Sequence, residues 1–233
     1  MQAIILAGGK GKRLLPYTTV LPKPLMPIGD HPILEVVLKQ LAFSGFDDVI
    51  VSTGYLHEII CAYLNNIDID LNIRYSHETQ PLGTIAPLCL IDDLEDTFLV
   101  MNGDILTDLD YIKFMDFHRK KEATATVATY KREISVDFGV LEHNEDMRIN
   151  KFIEKPEYQF EVSMGIYAFN KEILDFVPKN QPFGFDNLMY ALIENDADVY
   201  SYPYNGYWLD IGRPDDYERS IQDFEKLKEK FLK

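Results

Sequence analysis

The chain is poor in the residue types that build disulfide frameworks, metal clusters and covalent catalysts. Its 233 residues include two cysteines and five histidines. Cys61 and Cys89 lie in unrelated apolar segments, and neither these thiols nor the histidines have the spacing of metal ligands. The sequence also lacks a Ser/His/Asp or Cys/His arrangement, which argues against nucleophilic catalysis. The two cysteines favour buried free thiols in a reducing cytoplasm.

Positive charge is also scarce, and long hydrophobic runs are missing. The formal net charge is −15, which argues against nucleic acid as a partner. No apolar run approaches the ~20 residues that cross a bilayer, so we expect no membrane partner. The length is sufficient to bury a full core, and it suits one large α/β domain over residues 1–233 better than two small ones.

Short apolar runs alternate with helical patterns through the first half, about 1–122. This alternation predicts an α/β fold with a Rossmann-like mixed, mainly parallel sheet flanked by helices. Ligands are then expected beyond the carboxyl ends of the strands. The predicted strands are 3–7, 48–53, 72–76 and 98–101, and the predicted helices are 33–43, 58–64, 84–90 and 111–121.

The second half, about 123–233, has a different pattern. Four short strands linked by turns predict an added mixed sheet that forms a smaller substrate lobe. These strands are 124–130, 139–142, 149–154 and 163–169, and helical patterns at 187–194 and 214–230 flank a further strand at 207–211.

The first predicted strand runs into three glycines interleaved with three cations. These residues are Gly8, Gly9 and Gly11, with Lys10, Lys12 and Arg13. Glycines let the backbone turn tightly and bring its N–H groups close to an anion. A further cation, Lys23, is placed on a stiff tether between two prolines. The loop therefore favours a polyphosphate ligand over an ordinary β–α turn with exposed lysines.

The spacing excludes two common phosphate loops. Leu14 stands where the dinucleotide fingerprint has its third glycine, and the sequence lacks the Gly-Lys-Ser/Thr of a Walker loop. Residues 8–14 followed by Pro-Lys-Pro at 22–24 instead resemble the signature of the sugar-1-phosphate nucleotidyltransferases, Gly-Gly-x-Gly-x-Arg-Leu and then Pro-Lys-Pro. Lys12 stands where most members carry threonine. The resemblance implies that Arg13 and Lys23 are catalytic. The implied nucleotide contacts here are Leu6, Ala7, Gly8, Gly9, Gly11, Lys12, Arg13 and Lys23.

Two aspartates suit a metal site opposite this loop. Asp104 follows the fourth strand, and strand alternation places Trp208 and Asp210 on one face. Mg²⁺ takes one or two carboxylates together with phosphate oxygens, although a lone strand-end aspartate is more often a cap or turn residue. In the family, the Asp of Gly-Asp and the Asp of Trp-x-Asp-x-Gly hold Mg²⁺. The resemblance therefore implies Asp104 and Asp210 as metal ligands, Asp104 as catalytic, and Asn102 and Gly103 as nucleotide contacts.

Three further motifs resemble the part of the family that binds the sugar phosphate. Glu154 and Lys155 precede a proline as in the family's Glu-Lys-Pro, although an isolated pair of this kind is by default a surface salt bridge. Gly139 stands in Phe-Gly-Val where the family has Tyr-Gly-Val, and Met164 with Gly165 stands where the family has Ala-Gly. The resemblance implies that these five residues bind the sugar 1-phosphate. The two substitutions leave the identity of the sugar open.

The loop before predicted helix 84–90 is the candidate for base recognition. Gly83 allows close approach to a planar base, and Thr84 is suited to cap the following helix, although a plain helix start explains the loop nearly as well. Its Pro-Leu-Gly-Thr is similar to the guanylyl-type branch typified by mannose-1-phosphate guanylyltransferase. We therefore predict GTP as the nucleotide, contacted by Gln80, Pro81, Gly83 and Thr84.

The resemblance implies transfer of a nucleoside monophosphate from a nucleoside triphosphate to a sugar 1-phosphate, with release of pyrophosphate. GTP with mannose 1-phosphate or a related sugar is the favoured pair, and thymidylyl, uridylyl or cytidylyl transfer is the alternative. A binding protein that senses nucleotide sugars without turnover is another alternative. A glycosyltransferase is a third, although residues 102–104 lack its usual Asp-x-Asp. A homo-oligomer is left open.

Overall fold

The computed structural model describes residues 1–179 and 181–232. The strands are β1 (Gln2–Ala7), β2 (Pro27–Ile28), β3 (His31–Pro32), β4 (Asp48–Thr53), β5 (Asn72–His77), β6 (Thr97–Asn102), β7 (Ile105–Thr107), β8 (Ala125–Ser135), β9 (Val140–His143), β10 (Ile149–Ile153), β11 (Glu157–Asn170), β12 (Val199–Tyr204) and β13 (Trp208–Asp210). The α-helices are α1 (Ile33–Phe43), α2 (His57–Leu64), α3 (Tyr111–Lys120), α4 (Phe185–Glu194) and α5 (Pro214–Phe231). Short 3₁₀ turns include Lys12–Leu14, Lys23–Leu25 and Ala86–Leu90, so predicted helix 84–90 is a shorter 3₁₀ turn.

Seven strands form the central sheet in the order β12-β8-β11-β6-β1-β4-β5. The four strands from β6 to β5 are parallel to their neighbours. β11 runs antiparallel to both β6 and β8, while β12 runs parallel to β8. The predicted mixed, mainly parallel sheet is therefore confirmed.

The inner parallel strands β1, β4 and β6 are largely apolar on both faces because the sheet is covered on both sides. Along β1, Ile5 packs into one buried cluster and its neighbour Ile4 packs into another. Both side chains are fully buried. Consecutive apolar residues are the expected pattern for such a doubly covered strand, and they made this half of the fold easy to predict.

The second half differs from its prediction in where its longest strands belong. β8 and β11 belong to the central sheet, and only their outer ends extend from it beside the separate β9–β10 hairpin. The inner half of β11 is buried and its outer half is exposed. The change occurs at a register shift between Ser163 and Tyr167, where Gly165 has φ +74°. A bulge of this kind bends a strand, so one long strand serves both the core and the lobe.

The sequence analysis missed four strands: β2, β3, β7 and β12. β2 and β3 have two residues each, too few for a periodic signal. β12 contains Pro203, which argues against a strand, but β12 lies at the edge of the sheet where proline is tolerated. β7 is three residues long and forms a two-stranded ribbon with β13. A strand this short leaves no periodic signal.

A third buried cluster joins the loops above the sheet to α5. It contains Leu14 from the glycine loop, Met26 after the Lys23 turn, and Leu209 from β13, packed with Phe224 and Phe231 of α5. Segments far apart in sequence therefore share one small core. That core positions the loops that carry the predicted site.

The two cysteines are free, with Cys61 half-buried and Cys89 exposed. The prediction of a buried thiol is wrong for Cys89, because burial in its 3₁₀ turn is confined to Ala86, Pro87 and Leu88. Within the described part of the chain, each helix is too short or too polar to cross a bilayer.

Candidate active site

A cleft of about 1020 Å³ opens at the carboxyl ends of β1, β4, β5 and β6. This is the edge at which the strand–helix alternation predicted a ligand. Of the residues predicted to contact nucleotide, those that line the cleft are Leu6, Ala7, Gly8, Gly9, Gly11, Lys12, Arg13, Lys23, Gln80, Pro81, Gly83, Thr84 and Asn102. Asp104 also lines it. Segments from both ends of the first half therefore meet in one cavity, while the binding roles of these residues stay predictions.

Gly103 instead lies beneath the cleft. Its amide donates to the Leu6 carbonyl at 2.9 Å. A Cβ added there would lie 3.1 Å from a methyl group of Ile5 and 3.2 Å from the Leu6 carbonyl oxygen. The glycine therefore allows the end of β6 to pack closely on β1.

The glycine loop is held open by a left-handed turn and a buried anchor. Gly11 has φ +58°, and a Cβ there would lie 2.8 Å from the Thr18 methyl group. The Thr18 hydroxyl donates to the Gly11 carbonyl at 2.9 Å. Leu14 is fully buried, whereas Lys12 and Arg13 are exposed at the cleft. The turn thus directs two cations toward the space where a phosphate is expected.

The two predicted metal ligands are brought together by the β7–β13 ribbon. Asp210 pairs with Ile105, and the Ile211 amide donates to the Asp104 carbonyl at 3.1 Å. Lys23 lies between the carboxylates: its ammonium group hydrogen-bonds to Oδ2 of Asp104 and lies 3.9 Å from Oδ1 of Asp210. Residues about one hundred positions apart therefore form one charged cluster.

The carboxylates suit a hard cation. Oδ1 of Asp104 is buried, and no group in the described part of the chain hydrogen-bonds it. Burial raises the pKa of Asp210, and repulsion from Asp104 adds to this, while Lys23 lowers it. The described residues contain no cluster of three or more metal-binding side chains. Two carboxylates with one free oxygen therefore fit Mg²⁺, which takes its other ligands from phosphate and water.

Arg13 extends to the same cluster. A Cβ added to Gly212 would lie 3.2 Å from a terminal guanidinium nitrogen of Arg13, and the charge of Arg13 lowers the pKa of Asp210. Gly212 itself lines the cleft. The absence of a side chain at Gly212 lets the guanidinium group lie against the backbone after β13, a role that the sequence analysis did not predict.

Thr84 caps a different helix from the one predicted, and Gly83 beside it packs closely on a distant segment. Gly83 has φ +89°, and a Cβ there would lie 2.8 Å from the Phe183 carbonyl oxygen. The Thr84 hydroxyl accepts a hydrogen bond from the Phe185 amide at 2.8 Å. Phe185 is the first residue of α4, so Thr84 caps a helix 101 residues away and not the helical turn that follows it. That capping interaction depends on tertiary contact.

The sequence analysis missed Glu78. This half-buried residue lines the cleft directly after β5, and its Oε2 accepts from the Leu82 amide at 3.0 Å. Its Oε1 approaches the glycine loop, since a Cβ added to Gly8 would lie 2.5 Å away from it. The strand-end rule that selected Asp104 after β6 also applies to Glu78 after β5.

The residues predicted to bind the sugar phosphate lie outside the cleft lining, in two groups. Gly139 and Glu154 are neighbours at the β9–β10 hairpin, since a Cβ on Gly139 would lie 3.2 Å from Oε2 of Glu154. Lys155 follows on the same hairpin with φ +43°. Gly165 lies beside Asn102 at the cleft wall. The Met164 side chain is buried, and its carbonyl accepts from the Trp208 indole at 3.0 Å, so only the Met164 backbone faces this region.

Comparison with known proteins agrees with the geometry. Residues 2–226 match the family described as nucleotidyl transferase. The chain is 33% identical over 227 residues to mannose-1-phosphate guanyltransferase of Yarrowia lipolytica, covering 93% of this chain and 62% of that protein. The corresponding protein of Schizosaccharomyces pombe is also 33% identical, with the same shares covered. The chain therefore spans less than two thirds of these relatives' length.

A solved structure matches over nearly the whole chain. The crystal structure of HddC from Yersinia pseudotuberculosis has a TM-score of 0.73 and 26% identity, covering 96% of this chain and 99% of that one. HddC has also been crystallised with GMP-PN, and that chain is 25% identical with the same TM-score. The α/β architecture and the family resemblance found in the motifs are both confirmed. The chain belongs to the nucleotidyl transferase family.

Proposed function

We propose that the chain transfers a nucleoside monophosphate from a nucleoside triphosphate to a sugar 1-phosphate, which releases pyrophosphate and forms a nucleotide sugar. The observation that carries this proposal is the charged cluster at the mouth of the cleft. There Lys23 lies between Asp104 and Asp210, and the Arg13 guanidinium lies beside Gly212, two residues after Asp210. Cations for phosphates and carboxylates for a metal are the two groups that phosphoryl-type transfer requires.

The reaction forms one bond and breaks one bond at the α-phosphorus. A phosphate oxygen of the sugar 1-phosphate attacks that phosphorus, and the bond to the β-phosphate breaks with pyrophosphate as the leaving group. Arg13 neutralises charge on the pyrophosphate, and Lys23 holds the phosphates. Positioning and electrostatic stabilisation account for the catalysis, so no nucleophilic side chain is needed.

The carboxylates of Asp104 and Asp210 would hold Mg²⁺. The free Oδ1 of Asp104 and the mutual repulsion that raises the pKa of Asp210 support this assignment. When bound, the ion supplies charge neutralisation at the phosphate oxygens. Lys23 shares the same carboxylates, and phosphate oxygens offer its ammonium group an alternative partner.

GTP is the nucleotide that we propose, and Glu78 supports it. Guanine presents two adjacent donors, N1–H and the N2 amino group, and a carboxylate only accepts. One Glu78 oxygen already accepts from Leu82, and a carboxylate has lone pairs for further donors. The guanyltransferase names of the relatives and the GMP-PN complex of HddC point in the same direction.

The proposed acceptor is mannose 1-phosphate or a related sugar phosphate. The names of the relatives support mannose 1-phosphate. Glu154 and Lys155 on the hairpin, with Gly139 beside them, would bind the sugar phosphate, and Gly165 would contact the sugar from the cleft wall. These residues approach from a segment that extends away from the sheet, so sugar binding joins the two halves of the chain.

Pyrophosphate release across a matrix of nucleoside triphosphates and sugar 1-phosphates tests the proposal. We expect the fastest release with GTP and mannose 1-phosphate. Faster turnover with dTTP, UTP or CTP would overturn the base assignment and retain the enzyme class. Tight nucleotide-sugar binding without pyrophosphate release from any pair would instead identify a sensing protein.

A further inference from the structure

The loop proposed to read the base is held by a segment from the other half of the chain. We call residues 80–84 the base loop and residues 183–185 the clamp segment. Two hydrogen bonds of 2.8 Å join them, from the Phe183 amide to the Leu82 carbonyl and from the Phe185 amide to the Thr84 hydroxyl. The clamp segment itself lies outside the cleft lining.

The clamp segment is itself packed against the central sheet. The Phe185 ring stacks on Tyr167 of β11, with a centroid distance of 4.2 Å and an interplanar angle of 25°. The Phe183 carbonyl accepts from the amides of Ile85 and Ala86, directly after the base loop. Gly83 approaches so closely that a Cβ would lie 2.8 Å from the Phe183 carbonyl oxygen. The base loop is thereby connected to the central sheet through the clamp segment.

A loop held in this way has a direct consequence for selectivity. A short surface loop loses conformational entropy when it binds a ligand, and a loop that is already ordered loses less. Discrimination between bases also requires donors and acceptors in fixed positions, because an adaptable loop satisfies several bases equally. The two bonds to the clamp segment supply that order from outside the cleft.

We propose that the clamp segment sets base selectivity and that Thr84 is a positioning residue, which acts through Phe185 and not by contact with the nucleotide. The inference rests on the proposed function, in that the base loop reads a nucleobase. It revises the role that the family resemblance implied for Thr84. It also assigns a role to Phe185, which has none in the proposed chemistry.

The Phe185 amide can be removed without disturbing the helix. Phe185 is the first residue of α4, and Gly184 before it is extended with ψ 175°. Proline is well tolerated at the first position of a helix, and an extended preceding residue suits it. Phe185→Pro therefore deletes the donor to Thr84, and Phe185→Leu is the matched control that keeps the donor while also losing the stacked ring.

Calorimetric titration with Mg²⁺ and GTP, together with the ratio of kcat/KM for GTP to that for dTTP, measures the effect. We expect Phe185→Pro to weaken GTP binding about three- to tenfold relative to Phe185→Leu, which is the range for one lost hydrogen bond. The selectivity ratio should fall by a similar factor, while the KM for the sugar phosphate stays within about twofold. Thr84→Val should weaken GTP binding by the same factor relative to the unmodified chain. Thr84→Ser keeps the hydroxyl group and should bind GTP as the unmodified chain does.

The double variant Thr84→Val with Phe185→Pro distinguishes positioning from direct contact. Because both changes remove the same bond, adding Thr84→Val to Phe185→Pro should weaken GTP binding no further than Phe185→Pro alone does. Asn187→Ala is a stability control, since its side chain accepts from the Gly184 amide at the start of the same helix. It should lower the thermal midpoint and leave selectivity unchanged.

Equal GTP binding and selectivity in Phe185→Pro and Phe185→Leu would overturn the proposal, as would losses that multiply in the double variant. A shift in selectivity with Asn187→Ala would also overturn it, because the effect would then be general loosening of α4. Failure of the proposed function gives a different result. The wild-type chain would bind GTP without releasing pyrophosphate, and the calorimetric cycle would still test the clamp segment.

Discussion

The two parts of the candidate site rest on very different foundations. The phosphate end is anchored by fully buried residues such as Leu14 and Phe224. The sugar lobe, residues 131–161, has Pro156 as its single buried residue, while Phe138 is 77% exposed and Phe152 is 60% exposed. Few buried contacts imply a low free energy of local opening. The chain therefore combines a well-buried phosphate end with a lobe that few buried contacts stabilise.

The largest effect is expected at the aspartate pair, where rigid placement matters most. Asp104→Asn and Asp210→Asn should each abolish most pyrophosphate release, since each removes a charge that Mg²⁺ requires. The double variant should be little worse than either single variant if both hold one ion. Thermal unfolding serves as the control for folding. Full activity of a single variant in excess chelator would remove the metal from the mechanism.

Arg13 is expected to have the next largest effect. Arg13→Ala should lower kcat by about 10²–10³, the range for a contact to developing negative charge, with little change in the KM for the sugar phosphate. Arg13→Lys should also be poor, because an ammonium group lacks the planar fork. Near-normal turnover of both variants at saturating nucleotide would mean that Arg13 is only a surface charge.

The stability contrast between core and lobe can be measured directly. Phe98→Ala, at a fully buried position of β6, should lower the free energy of unfolding by about 3–5 kcal/mol. Phe138→Ala in the lobe should change it by less than about 0.5 kcal/mol. Urea denaturation of both variants tests this. A large loss for Phe138→Ala would show that the lobe is held by contacts that its exposure does not reveal.

Glu78 provides a smaller test at the base end. Glu78→Gln keeps an oxygen for the Leu82 amide and replaces the other oxygen with an amino group. That donor would face the N1–H and N2 donors of guanine and could not pair with them. The preference for GTP over the other triphosphates should fall about tenfold or more. The matched control is Glu58→Gln, which removes the charge of a second carboxylate in the cleft lining. An equal loss in both variants would assign the effect to net charge.

The smallest predicted effect concerns pH and the buried His118 of α3. Burial lowers the pKa of His118, whose Nδ1 lies 2.8 Å from the Thr126 hydroxyl and whose Nε2 lies 3.1 Å from the Asn170 side-chain oxygen. The unfolded chain therefore takes up a proton before the folded chain does, and stability is lost as the pH falls below about 6.5. The fall between pH 7 and 5 should be shallower in His118→Gln, as measured by thermal unfolding. Equal slopes would show that other groups dominate.

The sequence by itself determined the first half of the fold, where the local hydrophobic pattern agrees with the burial of each strand in the structure. Consecutive apolar residues such as Ile4 and Ile5 indicated a strand buried on both faces, and the structure covers both faces. The glycines and cations of residues 8–13 indicate a phosphate-binding loop without information from any distant segment. Alternation also placed Trp208 and Asp210 on one half-exposed face, with Leu209 buried between them.

The tertiary structure decided what depends on distant segments. The β7–β13 ribbon brings Asp104 to Asp210, and the Thr84 hydroxyl caps α4 across 101 residues. Strands β8 and β11 join the central sheet, although their inner segments, 124–130 and 163–169, were predicted to belong to a separate lobe. In each case the determining contact joins residues with no periodic relation along the chain. Local propensity and spacing carry no information about such pairs, so only the packed core could place them.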